Sequence, residues 1–194
     1  MFQKYVTGLI LTFIIVQVSV AQTQKNANHF ELETDPIAFI FNGYSAHAGY
    51  QSGHFRWDVG VYGIKVPPFF SGYDNFNIRS NGGGIKLDYI FKKRKGLLLG
   101  VESNISRERV SPKSNDSNPD NDLTKSFTNV SLSMRVGYRW MLGSKSKDYK
   151  GFYIFPWVSF VSFNLNPQSA FIQGQEYRQN TLSFFPTVHL GYSF

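Results

Sequence analysis

Residues 182–194, LSFFPTVHLGYSF, leave few folds open. Leu182, Phe184, Val188, Leu190, Tyr192 and Phe194 share one phase of a two-residue period. Ser183, Thr187, His189, Gly191 and Ser193 occupy the other, with Phe185 the one bulky exception. Successive side chains alternate across a strand, so this segment is a strand with one apolar face and one small or polar face. The same alternation is plainest over Phe127–Trp140. There Val130, Leu132, Met134, Val136, Tyr138 and Trp140 oppose Asn129, Ser131, Ser133, Arg135, Gly137 and Arg139. A face carrying two arginines among serines is a poor water-excluding core, while the aliphatic and aromatic face needs an apolar surrounding.

The N-terminus indicates export. Lys4 is the only charge before the apolar run Val6–Val20, and Ser19-Val20-Ala21 places small residues where a signal peptidase reads, which predicts a signal peptide over residues 1–21. The run is short of the roughly 20 apolar residues of a membrane anchor. The chain has no cysteine, so no disulfide framework supports the exported protein. Aromatics make up 17 % of the residues and the mean hydropathy is −0.25, which together suit an all-β chain built from half-apolar strands. The net charge of +7 is spread along the chain. It suits anionic lipid headgroups, and no basic helix or nucleic-acid motif accompanies it, so no nucleic-acid partner is expected.

Residues 22–29 read as a flexible polar leader and 30–194 as one folded unit. Within it, Phe30–Phe41 is strand-like, with Ile37, Phe39 and Phe41 in phase, and Asn42-Gly43 marks a tight connection. Tyr44–Gln51 and His54–Ile64 are strands separated by Ser52-Gly53. The second sets Phe55, Trp57, Val59 and Val61 against Arg56, Asp58, Gly60 and Tyr62. After a long connection over 65–80, Asn81–Phe91 and Gly96–Val110 flank the basic turn Lys92–Lys95. A polar loop over 111–125 leads to Phe127–Trp140. A turn over 141–150 precedes Gly151–Asn164, apolar on both faces and without a clear phase, and a third long loop over 164–181 precedes the terminal strand.

That predicts an all-β fold of eight antiparallel strands, most reaching the roughly 9–11 residues of a tilted membrane-spanning strand. Short turns alternate with long loops, and the short-turn side carries a belt of interface-seeking rings. The girdle candidates are Trp57, Tyr89, Tyr138, Trp140, Trp157, Tyr192 and Phe194. A soluble barrel would bury its large residues and turn polar ones outward. The alternating terminal strand ending on Phe194 resembles the C-terminal assembly signal of bacterial outer-membrane barrels. The whole mature chain resembles the small eight-stranded, up-and-down transmembrane β-barrels of the outer membrane, the group of OmpX and the OmpA transmembrane domain. More loosely, it is similar to small barrel proteins common in Bacteroidota. The resemblance implies residence in outer-membrane lipid and assembly by the barrel assembly machinery, and it brings no catalytic residue or cofactor with it.

Inward positions of such a barrel include Arg56, Asp58, Lys86, Asp88, Glu102, Arg135 and Arg139, with His47 and His189. Pairing across the Lys92–Lys95 turn sets Lys86 opposite Glu102. Eight strands leave an interior just filled by side chains, so these charges are expected to pair into a core that blocks the lumen. A narrow pore or an internal ligand site is the sharper alternative. No serine lies two residues from His189 on its face, Ser193 being four away, so the nucleophile–base–orienter pattern of an outer-membrane lipid-modifying enzyme is not spelled out and no enzyme is expected. Asp116, Asn118, Asp120 and Asp122 have calcium-loop spacing, but Asn121 and Phe127 stand where such a loop needs Gly and Glu, so no metal is expected. Phe69, Phe70, Tyr73 and Phe76 are expected to cover lipid as outer-girdle aromatics. The expectation is therefore an outer-membrane barrel with a filled polar interior and a structural or surface-interaction role through its outer loops. A soluble periplasmic barrel that binds a small ligand is the other alternative.

Overall fold

A computed structural model describes residues 28–113, 124–144 and 148–194. The signal-peptide segment, residues 22–27 of the leader and the calcium-spaced residues 116–122 lie outside the described residues. In chain order the elements are β1 (His29–Thr34), α1 (Pro36–Ile40), β2 (Tyr44–Ser52), β3 (Phe55–Val66), α2 (Pro68–Ser71), β4 (Phe76–Lys92), β5 (Lys95–Pro112), β6 (Lys125–Met141), β7 (Gly151–Asn164), β8 (Ser169–Ile172), β9 (Gln175–Arg178) and β10 (Leu182–Ser193). Eight of the strands close into an antiparallel ring in the order β1-β10-β7-β6-β5-β4-β3-β2, while β8 and β9 form a separate hairpin. Closure leaves the ring no exposed sheet edge, which is what a sheet surrounded by hydrocarbon requires.

The two faces of the wall differ as the alternation demands. Val59, Val61, Ile85, Val101, Ile105 and Leu132 project outward and are exposed, whereas Arg56, Asp58, Lys86, Asp88, Arg135 and Arg139 project inward and are buried. The fold is thus an eight-stranded barrel of the outer-membrane type, apolar outside and charged within. The turns at 53–54 and 93–94 are tight because Gly53 (φ +59°) and Lys93 (φ +58°) take the left-handed conformation that narrow hairpins need.

Four features depart from the sequence expectation. First, the strand predicted over 30–41 begins at His29, inside the expected leader, and stops at Thr34. Asp35 then caps a helix by accepting from the Ile37 amide (2.8 Å), and Pro36 at the first helical position has no N–H to lose. Asn42-Gly43 consequently ends a helix rather than turning a hairpin. Second, the strands run on into the predicted loops, β3 to Val66, β4 from Phe76 and β5 to Pro112. Third, the predicted loop over 164–181 contains the β8–β9 hairpin. Fourth, the unclear phase of β7 resolves with Tyr153, Phe155, Trp157 and Ser159 turned inward. Large rings fit a narrow lumen there because facing positions are bare: any Cβ at Gly191 would collide with the Tyr153 ring, and one at Gly60 with the His47 ring.

Because β1 is short, it pairs with β10 only from Glu31↔Ser193 to Thr34↔Leu190, while β10 pairs with β7 back to Leu182. Over the loop half, the free flank of β10 meets α1 instead of a strand. Thr187 Oγ1 donates to Asp35 Oδ2 (2.5 Å), and Phe41, Phe69, Phe70 and Phe185 seal the join with ring contacts of 4.2–6.4 Å. Pro186 lies on this stretch, where a residue without an N–H leaves no donor orphaned.

Candidate functional site

The turn half of the lumen is filled by one ion-pair network. Arg56, wholly buried, is its hub: Nε donates to Glu31 Oε2 (2.6 Å), Nη2 to Glu33 Oε1 (2.6 Å) and Asp58 Oδ2 (3.0 Å), and Nη1 to Asp88 Oδ2 (3.0 Å). Each carboxylate has a further partner. Glu31 accepts from Arg139 Nη1 (2.7 Å), Asp58 faces Lys86 Nζ (3.1 Å), and Asp88 faces Arg135 Nε (3.3 Å). Glu33 Oε2 lies 2.7 Å from His189 Nδ1, and the Tyr153 hydroxyl donates to both Glu33 (2.7 Å) and Glu31 (3.2 Å). Charges taken this far from water persist only when paired. Arg135 is the least satisfied, facing Asp88 and Glu102 at 3.3 and 3.6 Å without a hydrogen bond to either.

The arginines are also sandwiched by rings. The Arg135 guanidinium sits 4.1 Å from the Trp157 ring centroid and 5.3 Å from Phe155, and that of Arg139 sits 5.2 Å from Tyr153. Trp157 is therefore not a member of the girdle. It is 8 % exposed and faces the lumen, whereas Trp57, Tyr89, Tyr138, Trp140, Tyr192 and Phe194 all project outward near the turn end. The phase of β7 was the missing information. Tyr73 and Phe76, expected on lipid, also face inward, and Phe70 joins the α1 seal; of that group Phe69 alone is strongly exposed.

All seven predicted interior charges converge on this floor or its upper border. Lys86 stands opposite Glu102 in the β4–β5 register, yet its ammonium turns to Asp58 and to His47 Nδ1 (3.1 Å), and Glu102 faces Arg135 (3.6 Å). Glu31 and Glu33 were missed, although both alternate with Phe30 and Leu32 and so could have been read as inward. At the mouth on the turn side, Arg94 reaches inward to Gln51 Oε1 (3.1 Å) and Ser193 Oγ (3.0 Å). Burial and the neighbouring Arg139 guanidinium lower its pKa.

No family model matches the chain, and no curated protein matches it. Among solved structures, the chain is similar to the crystal structure of Neisserial surface protein A (NspA) at 11 % identity. The match covers 86 % of this chain and 94 % of that chain, with a TM-score of 0.49. The fold assignment rests on the closed ring of strands itself.

Above the charged floor, in the loop half, the lumen opens into a chamber of about 260 Å³. Its base is formed by His47, Lys86, Trp157 and His189, and its wall by hydroxyl and amide side chains such as Ser80, Asn104, Ser106, Asn129, Ser133 and Asn164. The β8–β9 hairpin roofs it. Ile172 and Tyr177 pack on Phe76, Ile78, Val110 and Phe127, an apolar plug at the level where the strands rise clear of the wall's middle. The Tyr177 hydroxyl and Gln179 Nε2 both donate to Glu108 Oε2 (3.0 and 2.7 Å), and the Tyr73 hydroxyl bonds Arg178 at its backbone carbonyl and amide (3.1 and 3.0 Å). Burial, and then the Glu108 carboxylate, push the Tyr177 phenol far above its ordinary range. The hairpin is thus a lid latched to the rim by both apolar packing and hydrogen bonds.

Proposed function

We propose that this chain is a non-enzymatic outer-membrane barrel that stands with its termini and short turns toward the periplasm and its lid and long connections at the cell surface. Its role is structural or interactive through those outer segments, and it is inserted by the barrel assembly machinery. The observation that carries the reading is the inverted wall. Rows of Val, Ile, Leu and aromatic side chains cover the outside of a closed sheet whose inside is charged, an arrangement that water would disfavour and a bilayer stabilises. The outward rings Trp57, Tyr89, Tyr138, Trp140, Tyr192 and Phe194 gather at the turn end, as interface anchors do.

The ion-pair floor supports a lumen that does not conduct, because Arg56, Arg135 and Arg139 occupy it without accessible surface. A non-catalytic role is supported by how the histidines are used: His189 Nδ1 is engaged by Glu33, and His47 Nδ1 by Asp58 and Lys86. The test is to express the full chain, separate inner and outer membranes, and compare gel mobility in SDS with and without boiling. Outer-membrane recovery with heat-modifiable migration is expected. A soluble product whose mobility is unchanged by boiling would overturn the reading.

A further inference from the structure

We propose that the chamber above the ion-pair floor is a binding site for a small, neutral, polyhydroxylated molecule of the monosaccharide class. The chamber is a built feature of the fold, with a sealed floor, a latched roof and a lining drawn from seven strands of the wall. Its buried charged groups are already engaged: Lys86 by Asp58, Glu102 by Arg135 and Asn104 Nδ2 (2.5 Å), Asp35 by the Ile37 amide and the Thr187 hydroxyl, and Glu108 by Tyr177 and Gln179, while Arg178 stands exposed at the entrance. Below that entrance, a ligand with a net charge would find no counter-charge that is not already engaged. Of the polar lining atoms left without a hydrogen bond, Glu102 Oε2 is charged and faces Arg135 at 3.6 Å, and the other three are neutral and of both hydrogen-bonding senses. The Trp157 indole N–H and the Asn164 Nδ2 are buried donors without a partner, and Asn129 Oδ1 is a buried acceptor without one. Trp157 and Asn164 are each 8 % exposed, and all three residues line the chamber.

Leaving a polar group buried and unpaired in this way is destabilising, so the lining favours an occupant that both donates and accepts. Several hydroxyls on a compact ring do this at many angles. The volume of about 260 Å³ falls just below the roughly 300 Å³ at which pockets for drug-sized ligands begin, which sets the scale at one sugar ring. The way in lies at the lid margin, where Arg178, Asn180 and Phe184 line the chamber and are exposed.

The test uses the full chain purified in detergent micelles with Trp57 and Trp140 replaced by Phe, which leaves Trp157 as the sole tryptophan. Its emission is followed during titration with a panel of neutral hexoses, pentoses and N-acetylhexosamines, and separately with sodium decanoate and inorganic phosphate. A saturable change with a neutral sugar is expected, weakened at least tenfold by Asn164→Leu or by Ser131→Leu, which fills the chamber. Heat-modifiable migration shows which variants close; should both leucine variants fail to close, Asn129→Ala serves in their place. The proposal is overturned if no sugar in the panel gives a saturable change, if decanoate or phosphate saturates the signal and the sugars do not, or if folded variants respond as the parent does. None of these outcomes depends on where the protein resides in the cell, so the membrane reading stands or falls separately.

Discussion

Replacing Arg56 by methionine removes the one cation that four carboxylates share while leaving most of its packing volume in place. In water-accessible surroundings such a loss would be minor, but Arg56 and all four partners are buried. Breaking a buried pair by removing one partner typically costs about 3–5 kcal/mol. The lower end applies here, because every orphaned carboxylate keeps a second contact: Glu31 with Arg139, Glu33 with His189 and Tyr153, Asp58 with Lys86, and Asp88 with Arg135. The expected loss is therefore about 3 kcal/mol, roughly a hundredfold in the unfolding equilibrium. Urea titration of the folded barrel in lipid vesicles, read from the heat-modifiable gel shift, measures it. Arg56→Lys should fall between the two, since one ammonium cannot satisfy acceptors reached by three separate guanidinium nitrogens. A methionine variant within about 1 kcal/mol of the parent, with an unchanged urea slope, would refute the idea that this network holds the barrel interior together.

Two further predictions concern the wall and the lid. Val101→Arg places a charge on the exposed mid-wall position of β5 and should destabilise the vesicle-inserted barrel by about 2–4 kcal/mol, with little effect on a version held in a soluble state. Above about pH 10 the released hairpin would ionise Tyr177 at its ordinary value while the docked phenol resists, so docking is fully favoured below that pH and weakens as pH rises past it. Acrylamide quenching of Trp157 in the single-tryptophan protein should increase over that range. With Tyr177→Phe added, the pH-linked rise should vanish, and its persistence would show that another group holds the lid.

Much of the wall was legible in the chain because strand alternation is a local property. Phe127–Trp140 states its own inside and outside, and so do Phe55–Val61 and Ile85–Phe91. Those runs placed the arginines, Lys86 and the aspartates on one face without any knowledge of the neighbours. Where both phases were bulky, as at Phe152–Trp157, only the ring could decide. Tyr153, Phe155 and Trp157 go inward because Gly191 and Gly137 across the sheet leave them room, and because Arg56, Arg135 and Arg139 offer cationic faces to stack on. The chamber was not legible at all. It depends on Ile172 and Tyr177 reaching the rim residues Phe76 and Val110 across long sequence separations, and on a helix standing where β1 gives out. Periodicity along the chain therefore determined the barrel's wall and its polarity, since each strand carries that information within itself. The partition of the lumen into a charged floor and a roofed chamber came from tertiary structure, because it arises from side chains of different strands meeting in a closed space.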